Sequence, residues 1–121
     1  MLSKADVFRL YDAGLDIKVS YRRPDNLWGL YDPSDTLATI FINNISKFKD
    51  IEETVLHEMI HARDDLFRDG ACKESWEEER VNREARQTRA NNRERIMRPI
   101  YDLYYIELKP IIIKYIIKRK K

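Results

Sequence analysis

The sequence predicts an α+β domain: a small three-stranded antiparallel sheet packed on a buried helix, then a long charged helix and a C-terminal helix. Three observations predict it. Segments with strand-like alternation, divided by turn residues, occupy residues 17–43. From about Asp50 the apolar spacing changes to that of a helix with a wide buried surface. Beyond it, two helical stretches are punctuated by Pro99 and Pro110.

Ser3 is a natural N-cap for a first helix whose Val7, Leu10 and Tyr11 share a face, and Gly14 is a natural stop. Ile17 to Tyr21 alternates as a half-buried strand does, and Arg22 to Asn26 reads as a turn. Leu27 to Tyr31 is the second strand, followed by the turn Asp32-Pro33-Ser34-Asp35. Leu37 to Asn43 is the third. Short connections favour an antiparallel meander. The central helix presents Ile51, Val55, Leu56, Met59, Ile60, Leu66 and Phe67, and Asp69-Gly70 ends it. A charged helix is expected from about Lys73 to Met97, with the narrow stripe Val81, Ala85, Thr88 and Ile96. Pro99 should break it, and Pro110 should kink or divide a last helix over residues 100–117.

The 121 residues suit a single domain, with a core over about 1–97 and a helical extension over 98–121. A hydrophobic content of 43% fits a packed core. Charged residues make up 36%, but the formal net charge is only +2, which does not point to a dedicated nucleic-acid binder. The single cysteine, Cys72, permits no internal disulfide. The N-terminal segment lacks a continuous apolar stretch, and the segment around IIIKYIIK is too short and too charged to span a bilayer. A cytoplasmic protein is the expectation.

The chemistry concentrates in Leu56-His57-Glu58-Met59-Ile60-His61, which contains H-E-x-x-H. Residues four apart lie one above the other on a helix, so both imidazoles aim the same way. Two neutral imidazoles suit Zn²⁺, and Glu58 can reach the water that such a site activates. His57, His61, Asp64, Asp65 and Arg68 fall on one polar stripe, and Val55, Met59, Ala62 and Leu66 on another. The pattern uses both histidines of the chain. Without a third histidine, the third ligand must be a carboxylate or, less readily, Cys72. Glu74, Glu77 and Glu78 all lie within reach, and periodicity does not choose among them.

The order GLYDPSDTLATIFINN, then ETVLHEMIHARD, then Glu78-Glu79-Arg80-Val81-Asn82-Arg83-Glu84-Ala85 resembles the ImmA/IrrE-like metallopeptidases, gluzincin-type enzymes common in bacteria and phages. The resemblance covers roughly residues 17–85 and implies Glu78 as the third zinc ligand beside His57 and His61. Ile60 stands where the family often has Gly, and Glu84 where it has an aromatic residue. A second, looser resemblance is to SprT-like metallopeptidases, whose later histidine ligand has no counterpart here.

The function expected is therefore a zinc-dependent metallopeptidase acting on a protein or peptide, with Glu58 as general base. Substrate is expected to extend along the Leu37–Asn43 strand at a sheet edge. Tyr31, Tyr101, Tyr104 and Tyr105 are candidates for stabilising the oxyanion. Asp64 and Asp65 could orient the imidazoles, and Asn82 could brace a ligand. Two other classes compete. One is a catalytically silent scaffold of the same fold that binds protein. The other is an adaptor for nucleic acid or a membrane surface, working through the amphipathic, basic segment Ile111–Lys121.

Overall fold

The computed structural model describes residues 1–68 and 75–117. Cys72, Glu74, the Asp69-Gly70 helix stop and the Lys118–Lys121 tail lie outside the described residues.

Helix α1, Lys4–Asp12, opens on a capping box. Ser3 Oγ accepts from the Asp6 amide at 3.1 Å, and Asp6 Oδ2 accepts from the Ser3 amide at 2.9 Å. Gly14, with a φ of 93°, follows the helix in the left-handed region that only glycine adopts readily. Three strands follow: β1 (Asp16–Ser20), β2 (Gly29–Asp32) and β3 (Leu37–Phe41).

The sheet is mixed, not an antiparallel meander, with the order β1-β3-β2. β2 and β3 form the expected antiparallel hairpin, but β1 runs parallel to β3, with Ile17 opposite Ala38 and Val19 opposite Ile40. The β1–β2 connection is long enough to carry the chain past β3. Two asparagines just after β3 hold it there. Asn43 Nδ2 donates to the Tyr21 carbonyl at 2.8 Å. Asn44 Nδ2 donates to the carbonyls of Pro24 and Leu27 at 2.7 and 2.8 Å. Ile42 and Asn43, expected to end the third strand, instead form with Asn44 a 3₁₀ turn that aims these amides at the loop.

Helix α2, Phe48–Phe67, packs against β2 and β3. Helix α3, Ser75–Leu103, lies along α2 and continues through Pro99, where a break was expected. Its interruption comes earlier, at Asn92, whose φ and ψ of −140° and 32° are not helical. Helix α4, Tyr105–Ile111, contains Pro110, and the chain continues as a π-helical segment, Ile112–Ile117. Removal of one amide donor by Pro110 sits next to this change of winding. Ile100, Tyr104, Leu108 and Ile111 join the same apolar cluster as Ile17, Ile40, Leu56 and Met59. No helix among the described residues is long and apolar enough to cross a membrane.

Charged side chains reach deep into the α2–α3 seam. Glu52 is fully buried, yet every lone-pair direction is used. Its Oε1 accepts from Arg89 Nε at 2.7 Å and Arg93 Nε at 2.8 Å. Its Oε2 accepts from Arg93 Nη2 at 3.0 Å and from the Tyr101 hydroxyl at 2.7 Å. A second cluster joins buried Arg63 to Asp64 and Glu84, while Arg80 bridges Asp64, Glu77 and Glu84. Removing one partner of such a set leaves the others charged in a poorly solvated seam. Glu52→Ala is expected to destabilise the fold by about 3 kcal/mol, measurable by urea denaturation. A loss below about 1 kcal/mol means that the two arginines find water instead.

Candidate metal centre

His57, Glu58 and His61 lie mid-way along α2, so their placement is set by helical geometry rather than by a loop. The two imidazoles project from the same face. Their Nε2 atoms are 3.1 Å apart, and the rings meet edge to face at 4.8 Å between centroids. Helix α3 brings Glu78 over them. Glu78 Oε2 is 3.0 Å from His57 Nε2, and Glu78 Oε1 is 2.7 Å from His61 Nε2.

Three donor atoms therefore converge, two nitrogen and one carboxylate. Zinc bound tetrahedrally at about 2.0–2.1 Å separates its donors by roughly 3.3 Å, close to the spacing here. The donor types and their convergence fit a zinc ion. Glu58 also brings a carboxylate oxygen within 4.8 Å of the histidine nitrogens. Glu78 has the stronger geometric case as third ligand, because both its oxygens face the imidazoles at contact distance. That leaves Glu58 for another role.

Of the other carboxylates considered for the third position, Glu77 turns away and is buried against Arg80 Nε at 2.7 Å. Asp64 and Asp65 do not orient the imidazoles. Asp64 is taken up by Arg63 and Arg80, and Asp65 accepts the Tyr31 hydroxyl at 2.8 Å. Asp64 shares the histidine stripe of α2, but its carboxylate is taken up by the two arginines. Asn82, one turn beyond Glu78 on α3, does stand within hydrogen-bonding reach of the His57 ring.

The electrostatics favour ligand chemistry. Burial lowers the pKa of His57, and the neighbouring His61 lowers it further, against the opposing pull of Glu78 and Asn82. A neutral ring is the form that binds a metal. The His57–Glu78 contact is accordingly a polar contact of a neutral imidazole, not an ion pair. Glu58 is almost wholly buried, and burial pushes its carboxyl up to about 8, with the charge of Glu78 adding to the effect.

Strand β2 explains that burial. At Gly29, a Cβ atom would lie 2.8 Å from Glu58 Oε2 and 2.8 Å from Thr54 Cγ2. Glycine is required because the strand passes directly over the Glu58 carboxyl. Sequence reasoning missed this residue; the G-L-Y-D run was visible, but nothing in it revealed which side chain lay beneath.

The centre opens into a cleft of about 760 Å³ between α2, α3 and the approach to β2. Trp28 and Gly29 line one wall, His57 and Glu58 the floor, and Asn82 and Arg86 the other wall. None of the four tyrosines proposed for the oxyanion lines it. Tyr31 is bonded to Asp65, Tyr101 to Glu52 and Tyr104 to the Leu15 carbonyl at 2.8 Å. Tyr105 is exposed, on α4. The third strand cannot offer an edge to substrate, since β3 is central. The free edge beside the cleft belongs to β2.

Comparison of the chain with protein-family models, with curated proteins and with solved structures gives no match.

The buried Glu58 has a consequence for the metal-free protein. In the unfolded chain it ionises near the ordinary glutamate value of 4.5, whereas in the folded chain it holds its proton up to about 8. Stability should therefore fall as pH rises through this window and level off above it. Glu58→Gln cannot ionise. With chelator present, the variant should melt close to the parent at pH 4 and increasingly above it towards pH 8. A constant difference across that range would contradict the burial of this carboxyl.

Proposed function

We propose that the chain is a zinc-dependent metallopeptidase of the ImmA/IrrE-like kind, hydrolysing peptide bonds of a protein or peptide substrate. The observation that carries this reading is the meeting of Glu78 with His57 and His61, with a Glu58 carboxylate oxygen within 4.8 Å of the two histidine nitrogens. The H-E-x-x-H…E order of the sequence supports the same family.

His57, His61 and Glu78 would hold the metal. When bound, zinc supplies Lewis-acid polarisation of the scissile carbonyl and acidifies water. Glu58 takes a proton from the attacking water and returns it to the departing amine. A carboxyl pushed up to about 8 accepts that proton readily and holds it long enough to deliver it. The nearby positive charge of a bound cation opposes the upward shift, keeping the base available near neutrality. Asn82 steadies the His57 ring as a positioning residue.

Strand β2 is suited to hold the substrate. The Phe41 amide donates to the Trp28 carbonyl at 2.8 Å, so residues 28 and 41 form a hydrogen-bonded pair. Alternation along an antiparallel ladder then turns the amides and carbonyls of Gly29 and Tyr31 outward from the sheet. An extended peptide adding to this edge would pair with Gly29, directly above Glu58. The absence of a side chain at Gly29 also lets the peptide backbone approach the metal ligands.

Purified protein should carry about one zinc per chain by atomic emission, and His57→Ala should lose it. Glu58→Gln should keep zinc and lose hydrolysis of an unfolded protein substrate. A gently prepared chain free of zinc, or a Glu58→Gln variant as active as the parent, would end this reading.

Gly29→Ala separates positioning from metal binding. The added methyl must displace Glu58 or Thr54, so peptidase activity should fall by about a hundredfold while zinc content holds. Unchanged turnover would show that neither Glu58 nor this edge takes part.

A further inference from the structure

A second groove shares no lining residue with the cleft at the metal centre. It has a volume of about 650 Å³ and is lined by Tyr21, Ile42, Asn43, Ile106, Lys109, Pro110, Ile113 and Lys114. Its apolar residues are unusually open to water. Ile106 is 80% exposed, more than any other large apolar side chain among the described residues. Tyr21 is 60% exposed, and Ile113 and Ile117 are also open. Burial elsewhere in α4 is ordinary, with Leu108 and Ile111 in the core, so this helix has one face inside and a second apolar face outside.

Charge frames the exposed face. Lys109 and Lys114 stand on the groove itself, and Arg22 and Arg23 follow Tyr21. Among the described residues no acidic side chain lines the groove, and in the sequence none occurs from Leu108 to Lys121, a stretch that ends Lys118-Arg119-Lys120-Lys121. Exposed isoleucines beside Lys109 and Lys114 fit a surface that is apolar within and anionic outside. Nucleic acid would use the cations but has no place for Ile106 and Ile113. A second copy would cover the isoleucines but would bring like charges together.

We propose that this groove docks the chain on an anionic lipid bilayer, with Ile106 and Ile113 entering the acyl boundary and Lys109 and Lys114 meeting headgroup phosphates. The site is independent of the metal centre. It would confine a peptidase to substrates at a membrane surface, with its cleft between α2 and β2 still open to water.

Co-sedimentation with vesicles tests this on the full chain. Binding is expected to phosphatidylglycerol–phosphatidylcholine vesicles and not to pure phosphatidylcholine, and it should weaken as salt rises. The pair I106S/I113S should bind about tenfold more weakly. The pair K109E/K114E should lose at least about tenfold. Ile106→Ser alone, at a side chain that contributes almost nothing to the core, guards against a folding defect in the double variant. Zinc content should be the same in all of them, which keeps this test separate from the peptidase reading. Equal binding to both vesicle types overturns the proposal. So does unchanged vesicle binding by I106S/I113S, preferential binding to duplex DNA, or self-association that I106S/I113S abolishes.

Discussion

The arrangement of the candidate metal centre depends on the charged seam that docks α3 on α2. Glu78 is placed only if α3 holds one register against the histidines, and the buried apolar stripe of α3 is narrow: Val81, Ala85, Ile96, Met97 and Ile100. Dispersion and burial alone are non-directional, and a stripe so thin would tolerate a slide of one turn, about 5.4 Å. Ion pairs would not. Glu52 with Arg89, Arg93 and Tyr101 pins one end of the seam, and Arg63 and Asp64 with Arg80 and Glu84 pin the other. His57, His61 and Glu78 lie between these clusters on α2 and next to Arg80 on α3. A slide of one turn would strand at least two buried guanidinium groups and remove Glu78 from the imidazoles. Buried ion pairs add little net stability compared with apolar residues of equal volume. Their contribution here is to register.

The same economy operates on the other side of α2. Strand β2 must pass close enough to shield Glu58 and lift its pKa, and only a residue without Cβ permits the approach. Depth of burial at Glu58 and the position of the free β2 edge are therefore one structural fact. The residue that lets the carboxyl be buried also sets the point where an extended chain can come nearest to it. One substitution at Gly29 alters both.

The sequence made α2 and its motif legible because a 3.6-residue period and a five-residue pattern are local properties. The capping box of α1 was local in the same way, and so was the β2–β3 hairpin with its Asp32-Pro33-Ser34-Asp35 turn. The parallel pairing of β1 with β3 was not, because it depends on Asn43 and Asn44 reaching back some twenty residues to fix the β1–β2 connection. The continuous helix through Pro99 was hidden for a similar reason: packing of Ile96, Met97 and Ile100 in the core outweighs the loss of one amide donor. The charges of α3 read as a solvated face with pairs along the helix. Two such pairs exist, Arg80 with Glu77 and with Glu84, but the buried partners lie across the seam on α2. Spacing along one helix carries no information about which neighbour it will meet. Asp64 does share the stripe of the histidines, but its carboxylate binds Arg63 and Arg80 rather than an imidazole, a partnership that spacing along α2 does not reveal.

A three-stranded sheet has two edges, and an unpaired edge invites association with other chains. Here β3 is central, β1 packs beside α4, and β2 borders the cleft. β2 has only four residues and ends in Asp32, features that limit uncontrolled strand addition. Gly29, whose amide and carbonyl turn outward, nonetheless lines the cleft that also holds His57 and Glu58. Tyr31 is anchored by its hydroxyl to Asp65 on α2, one turn beyond His61, so the edge is tied to the same helix that carries the histidines. An edge so short has little capacity to bind strands in general. Joined through Tyr31 to the helix that carries the histidines, it is held at a fixed place beside them.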